Sequence, residues 1–170
     1  MIILKEAKKR EYNSIEAYYE LDPGDPDEDV TIKEEKYVFM WHRRKSNENV
    51  KEKGFSFYLA RHVFKDADKI VDPELASDPG NTGIAGIVRG NDKVMIVLNA
   101  KSDILEKGII RIVSAYYTTD QNLIWRYNHI KKLRRKYESM MPSEEELDKL
   151  AEHNKRIFEE YERKHSVRFF

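Results

Sequence analysis

Lys45 and Arg111 are the two cations of this sequence whose neighbours suit chemistry on a phosphate. Lys45 lies in WHRRKSNENVKEK. There His42, Lys45 and Asn49 recur at i, i+3 and i+7, a spacing that gathers side chains on one helix face. Indole, imidazole, ammonium and carboxamide together fit a base and its phosphate. A solvated helix face accounts for the same pattern. Arg111 stands in IIRIVSA, an otherwise apolar strand. Alternation puts Ile109, Arg111, Val113 and Ala115 on one face, and Ile110, Ile112 and Ser114 on the other. A guanidinium in such company needs a partner, because a desolvated unpaired charge is costly. Two partners are open: a core-edge carboxylate, Asp66 or Asp68, or a phosphate gripped by the planar fork.

Other chemistries lack their signatures. The sequence holds no GxxxxGK[ST], no GxGxxG after a strand, no HExxH and no GxSxG. With no cysteine, disulfides and thiolate zinc sites are excluded. His42 and His62 do not have ligand spacing and no carboxylate cluster accompanies them, so neither a metal nor another cofactor is expected. His62 reads as a boundary residue beside an apolar helix face. The run HIKKLRRKYE, residues 129–138, is a basic stretch on an amphipathic helix, suited to a solvated face or to a polyanion.

Charge narrows the class further. Basic and acidic residues both number 31, yet residues 1–36 carry 6 basic against 11 acidic, residues 37–127 carry 14 against 11, and residues 128–170 carry 11 against 9. A protein coating nucleic acid over its whole surface would be more basic. A local phosphate site remains compatible. The opening MIILKEAKKR has too short an apolar run for a signal-peptide core, and no run approaches the roughly 18 residues of a membrane helix. A soluble, cytoplasmic protein without membrane contact is the expectation.

The elements that must hold these groups read as follows. Residues 1–20 predict a helix, ended by DPGDPDED at residues 22–29, an acidic turn or linker. That segment reads as an appendage. VTIKEEKYVFMW is β-rich and leads into a helix over RRKSNENVKEK, stopped by Gly54. Ser56 caps a second helix, FYLARHVF. GIAGIVRG, KVMIVLNA and GIIRIVSAYY predict an antiparallel meander without crossover helices. An apolar stripe Leu123, Tyr127, Ile130, Leu133 (or Arg134), Tyr137, Met141 predicts a long helix up to Pro142. Ser143 and Glu146 form a capping box for another, striped by Leu147, Leu150, Asn154, Ile157, Phe158 and Tyr161. Two such helices make a hairpin that must bury its apolar faces. The class is α+β: a small antiparallel sheet packed by two helices, with a C-terminal helical hairpin.

The spacing across Phe39, Trp41, Lys45, Asn49, Gly54-Phe55-Ser56-Phe57, Ala60, Val63-Phe64 and Asp66 resembles the opening of the BrnT-type toxins. Their pattern is roughly F-x-W-D-x-x-K-x-x-x-N-x-x-K-H-G-[VI]-S-F-x-x-A-x-x-V-F-x-D. Further on, Ile110-Arg111-Ile112-Val113-Ser114-Ala115 is similar to that family's I-R-I-I-S-A strand. The resemblance covers residues 37–127, leaving an N-terminal extension with its acidic linker (1–36) and a C-terminal helical extension (128–170). It implies a RelE-like fold and a metal-independent endoribonuclease, the toxin of a bacterial toxin–antitoxin pair. In such enzymes the ribose 2′-OH attacks the adjacent phosphate and basic side chains stabilise the charge that develops. It also implies an RNA substrate and a DNA-binding antitoxin as partner.

Carried over by position, Lys45 and Arg111 become the charge stabilisers, with Arg44, Lys53 and Asn49 as RNA contacts. Three positions depart from the pattern: His42 replaces an aspartate, Glu52-Lys53 replaces Lys-His, and Tyr116 replaces an arginine. His42 and Tyr116 are then the candidates for proton transfer. The alternative is an inactive toxin fold working as a protein-interaction or nucleic-acid-binding module, with the C-terminal helices supplying a homodimer interface.

Overall fold

A computed structural model describes residues 10–165, apart from the side chains of residues 105 and 106. The chain is α+β. A six-stranded sheet runs in the order β1-β2-β6-β5-β4-β3, with β1 Asp29–Lys33, β2 Val38–His42, β3 Ile70–Asp72, β4 Asn81–Gly86, β5 Met95–Ala100 and β6 Ile110–Tyr117. The β4-β5-β6 meander is antiparallel, as its short connections require. β2 pairs with β6 in parallel, which makes the sheet mixed. A parallel pair needs a long connection, and everything from residue 43 to residue 109 supplies it.

Helices cover both faces. β2 runs directly into α2, Arg43–Lys53, and Gly54 closes it in the left-handed conformation at φ 86° that suits glycine. Ser56 then caps α3, Phe57–Ala60, accepting a hydrogen bond from Leu59 N at 3.4 Å, and a 3₁₀ turn continues over Arg61–Lys65. These segments pack Phe57, Leu59, Ala60, Val63 and Phe64 onto Phe39, Trp41, Ile84, Met95, Val97 and Ile112. The opposite face carries Ala85, Val94 and Ile96, covered by Leu123 and Tyr127 of α5, Gln121–Met140. Consecutive β4 and β5 residues thus alternate between two cores. That explains why both strands read as near-continuous apolar runs.

Several expectations are corrected. Of the helix expected over residues 1–20, the first nine positions lie outside the described residues, and only Glu16–Tyr19 is helical (α1). The segment is not an appendage: Ala17 is buried, and Tyr12 and Tyr18 pack on the same core as Trp41. Their rings supply the apolar area that docks the segment on the sheet. The β-rich stretch before Trp41 is a hairpin, with Val30 opposite Trp41 and Glu34 N donating to Tyr37 O at 2.8 Å. A short helix, α4 Lys101–Lys107, sits between β5 and β6, in a meander expected to have no helix in its connections.

The boundary between two compact units falls between Lys131 and Lys132. Beyond it lies α6, Glu144–His165, whose start is capped by Ser143 Oγ accepting from Glu146 N at 3.2 Å. Its apolar stripe stays half-exposed, Leu147 at 45%, Leu150 at 54% and Ile157 at 50%, so the burial expected of a hairpin is not found among the described residues. The other side of α6 is laced by i,i+4 pairs: Lys149 to Glu145, Arg156 to Glu152 and Lys164 to Glu160. No helix among the described residues is long and apolar enough to cross a membrane.

Candidate functional site

Arg111 enters β6 opposite Met40 of β2 and Ala100 of β5. Its guanidinium is already engaged. Nε donates to Asp103 Oδ2 at 2.7 Å, and Nη2 donates to Asp29 Oδ2 at 3.0 Å and to Met40 Sδ at 2.7 Å. The Asp29 hydrogen bond holds the group above its ordinary pKa against the opposing effect of burial, and Asp103 adds to it. The partners expected from sequence, Asp66 and Asp68, are not the ones used. Asp29 arrives through β1 and Asp103 through α4, the two elements whose form was not foreseen.

The cations that open α2 are engaged in the same way. Arg43 bridges Asp22 at 3.2 Å and Glu28 at 3.6 Å and donates to Asp25 O at 2.7 Å; Arg44 pairs with Asp27. Burial pushes the Asp22 carboxyl up. The Tyr12 hydroxyl, the Gly24 N–H and Arg43 outweigh that effect and hold it below its ordinary value. The acidic turn is therefore folded back on the arginines that follow β2.

Along α2 the i, i+3, i+7 trio does not share a surface. His42 is the half-buried N-cap, Lys45 is exposed, and Asn49 is buried with Nδ2 donating to Phe55 O at 2.8 Å. Seven residues make almost two full turns, so positions 42 and 49 align while position 45 sits about 60° away. Asn49, expected as an RNA contact, instead lies buried, where it fastens the α2–α3 turn. Lys45 has no carboxylate partner among the described residues.

Lys53 closes α2 against β6. Once β2 has become α2, the edge of β6 beyond Ile112 is open, and Lys53 Nζ donates to Ala115 O at 3.1 Å. The same ammonium lies 5.3 Å from the Tyr116 ring centroid, a cation–π contact. Tyr116 reaches this position through a β-bulge. Leu98 pairs with Ser114 but Asn99 with Ile112, so Val113 is the extra residue. The bulge shifts the alternation expected along β6: Ile112 and Ala115 share one core, and Tyr116 packs with the other. Asn99, opposite Ile112, is fully buried and neither its Oδ1 nor its Nδ2 has a partner; nothing in the structure explains it.

The structure thus joins Lys53 with Tyr116, places Arg111 between two carboxylates, removes Asn49 from the surface and leaves Lys45 exposed, without a carboxylate partner among the described residues. Sequence reasoning missed Asp29, Asp103 and Asp22. No short-range spacing announces them, because each meets its arginine through tertiary structure. No family model matches the chain, and no curated protein is significantly similar to it.

His62 carries a pH prediction. Burial, reinforced by Arg61 and Lys65 and opposed by Glu34, lowers its pKa from 6.5 to about 4. The unfolded chain then binds the extra proton first. The stability associated with neutral His62 is complete above about pH 6.5 and is lost as pH falls toward about 4. Half-exposure of the ring reduces the effect to on the order of 1 kcal/mol. Urea unfolding of wild type and His62→Gln across this window should show a pH-dependent difference; parallel curves would refute the assignment.

Proposed function

We propose that the chain is a metal-independent endoribonuclease of the BrnT toxin type, acting in the cytoplasm on RNA and held in check by a DNA-binding antitoxin. One observation carries the reading. Lys53, a cation with no carboxylate partner among the described residues, is fixed on Ala115 O and the Tyr116 ring, on the strand with the toxin-like I-R-I-V-S-A run. In the reaction a base takes the 2′-OH proton as its oxygen bonds to phosphorus, and an acid protonates the departing 5′-oxygen. His42 and Tyr116 are the proton-transfer groups of this reading. Lys53 and Lys45 stabilise the charge on phosphorus. Arg111, already satisfied by two carboxylates, acts by holding β6 to β1 and α4.

The test is cleavage of structured RNA in EDTA. Lys53→Ala and Tyr116→Phe should each slow cleavage by roughly 10²-fold while melting like wild type. Cleavage at the wild-type rate by both variants, or none by the wild type, rejects the assignment.

A second reading has its own observation, the half-exposed stripe on α6. Leu147, Leu150, Asn154, Ile157 and Tyr161 follow a 3-4 spacing with an asparagine at a seam position, as in short coiled coils. An inactive toxin fold that self-associates through this helix would be a dimer by light scattering and a monomer without residues 142–170.

A further inference from the structure

A concave pocket of about 510 Å³ opens between the N-terminal segment and the turn that follows β4. Its volume falls within the range of small-molecule sites. The floor is aromatic and fixed: Tyr18 stacks on Tyr58 with centroids 5.2 Å apart, and its Oη lies 3.0 Å from His62 Nε2. Tyr19 forms an exposed wall, edge-on to Tyr18 at 6.2 Å, and Ile15, Leu59 and Val88 complete the apolar lining. With its depressed pKa, His62 is a neutral imidazole near pH 7, offering a hydrogen bond and no charge.

Arg89 is the one cation among the lining residues. Asn91 N donates to Val88 O at 2.9 Å, and Gly90 takes φ 92° at the third position of this turn, where a left-handed conformation is needed. Arg89 occupies the second, outward position. Asn91 also donates from Nδ2 to Tyr117 Oη at 2.8 Å, and Lys93 Nζ lies 5.8 Å from the Tyr117 ring centroid. Neither Arg89 nor Lys93 has a carboxylate partner among the described residues, in contrast to Arg43, Arg44, Arg61 and Arg111.

We propose that this pocket binds a nucleotide, its base against Tyr18, Tyr19 and His62 and its phosphate on Arg89, with Lys93 behind it. Base–aromatic stacking accepts any base, and a guanidinium fork matches a phosphate. An aliphatic occupant would leave the uncompensated Arg89 on the lining without a purpose. The nucleotide is either free or part of a single-stranded RNA. The inference is independent of cleavage, since a strand can lodge a base here without being cut.

The experiment titrates the full chain by calorimetry with adenosine 5′-monophosphate, adenosine, ribose 5-phosphate and a short oligoadenylate. Wild type, Arg89→Ala and Tyr19→Ala are compared, with thermal melting to establish that each variant folds. Arg89→Ala should weaken the monophosphate at least about tenfold and leave adenosine unchanged. Tyr19→Ala should weaken both. An oligonucleotide that binds more tightly than the monophosphate identifies a strand as the ligand, and equal affinities identify the free nucleotide. No binding of monophosphate or oligonucleotide by wild type overturns the proposal, as does binding unchanged in both variants. A chain that binds the monophosphate and cuts no RNA keeps the pocket and loses the nuclease.

Discussion

Arg111→Ala should cost about 2 kcal/mol of folding stability, which makes Arg111 a structural tie first. Removing the guanidinium leaves Asp103, with its side chain only 18% exposed, and Asp29 facing a strand with no cation. Breaking a fully buried pair costs about 3–5 kcal/mol, and the partial exposure of this site scales that down. The loss should be partly relieved by Asp103→Asn in the same chain, because the orphaned carboxylate is then gone. A double-mutant cycle in urea measures that coupling. A variant with an unchanged urea midpoint but no RNA cleavage would instead return Arg111 to the phosphate.

The second large effect is expected at Asp66. Its Oδ2 accepts from Tyr127 Oη at 2.5 Å and from Ile87 N at 2.9 Å, and its Oδ1 accepts from Asp68 N at 2.9 Å. One carboxylate therefore links the 3₁₀ turn after α3, the segment leaving β4, and α5. The strand approaches so closely that a Cβ on Gly86 would lie 2.9 Å from Asp66 Oδ2 and 3.1 Å from Val63 Cγ1. Asp66→Ala removes three acceptor contacts at once and should cost about 3 kcal/mol, while Tyr127→Phe should cost about 1 kcal/mol. Gly86→Ala should weaken the same brace by displacing the carboxylate. Hydrogen exchange at the Ile87 amide provides the local readout. Protection unchanged in Asp66→Ala would show that the amide finds another partner. The last aspartate of the toxin-like pattern is, on this account, a cross-brace between layers.

What the sequence made legible was local. The span of α2, its glycine stop, the Ser56 cap and the Ser143 cap all follow from side chains that act on backbone groups within a few residues. The antiparallel meander followed from short connections. Long-range features stayed hidden. Asp29 and Asp103 could not be matched to Arg111 without knowing that β1 forms a hairpin with β2 and that α4 interrupts the meander. The Val113 bulge has no sequence signature, and it moved Ala115 and Tyr116 to faces opposite those given by strict alternation. Asn49 was misplaced because a cap within the α2–α3 turn uses an amide much as a ligand would. Lys45 and Lys53 kept their place as candidates because exposure, or a contact at the end of a helix, leaves a cation available.

The acids folded onto Arg43, Arg44 and Arg111 have a thermodynamic consequence. Asp22, Asp27 and Asp29 behave as counter-ions tethered to the chain. A polyanion displacing them releases no small ions to solution, so it gains none of the mixing entropy that makes nucleic-acid binding weaken with salt. At Lys53, Arg89 and Lys93, where mobile ions must neutralise the charge, that entropy is available. The salt slope of RNA binding thus becomes a count of uncompensated cations, and it reports which of the two sets the strand touches.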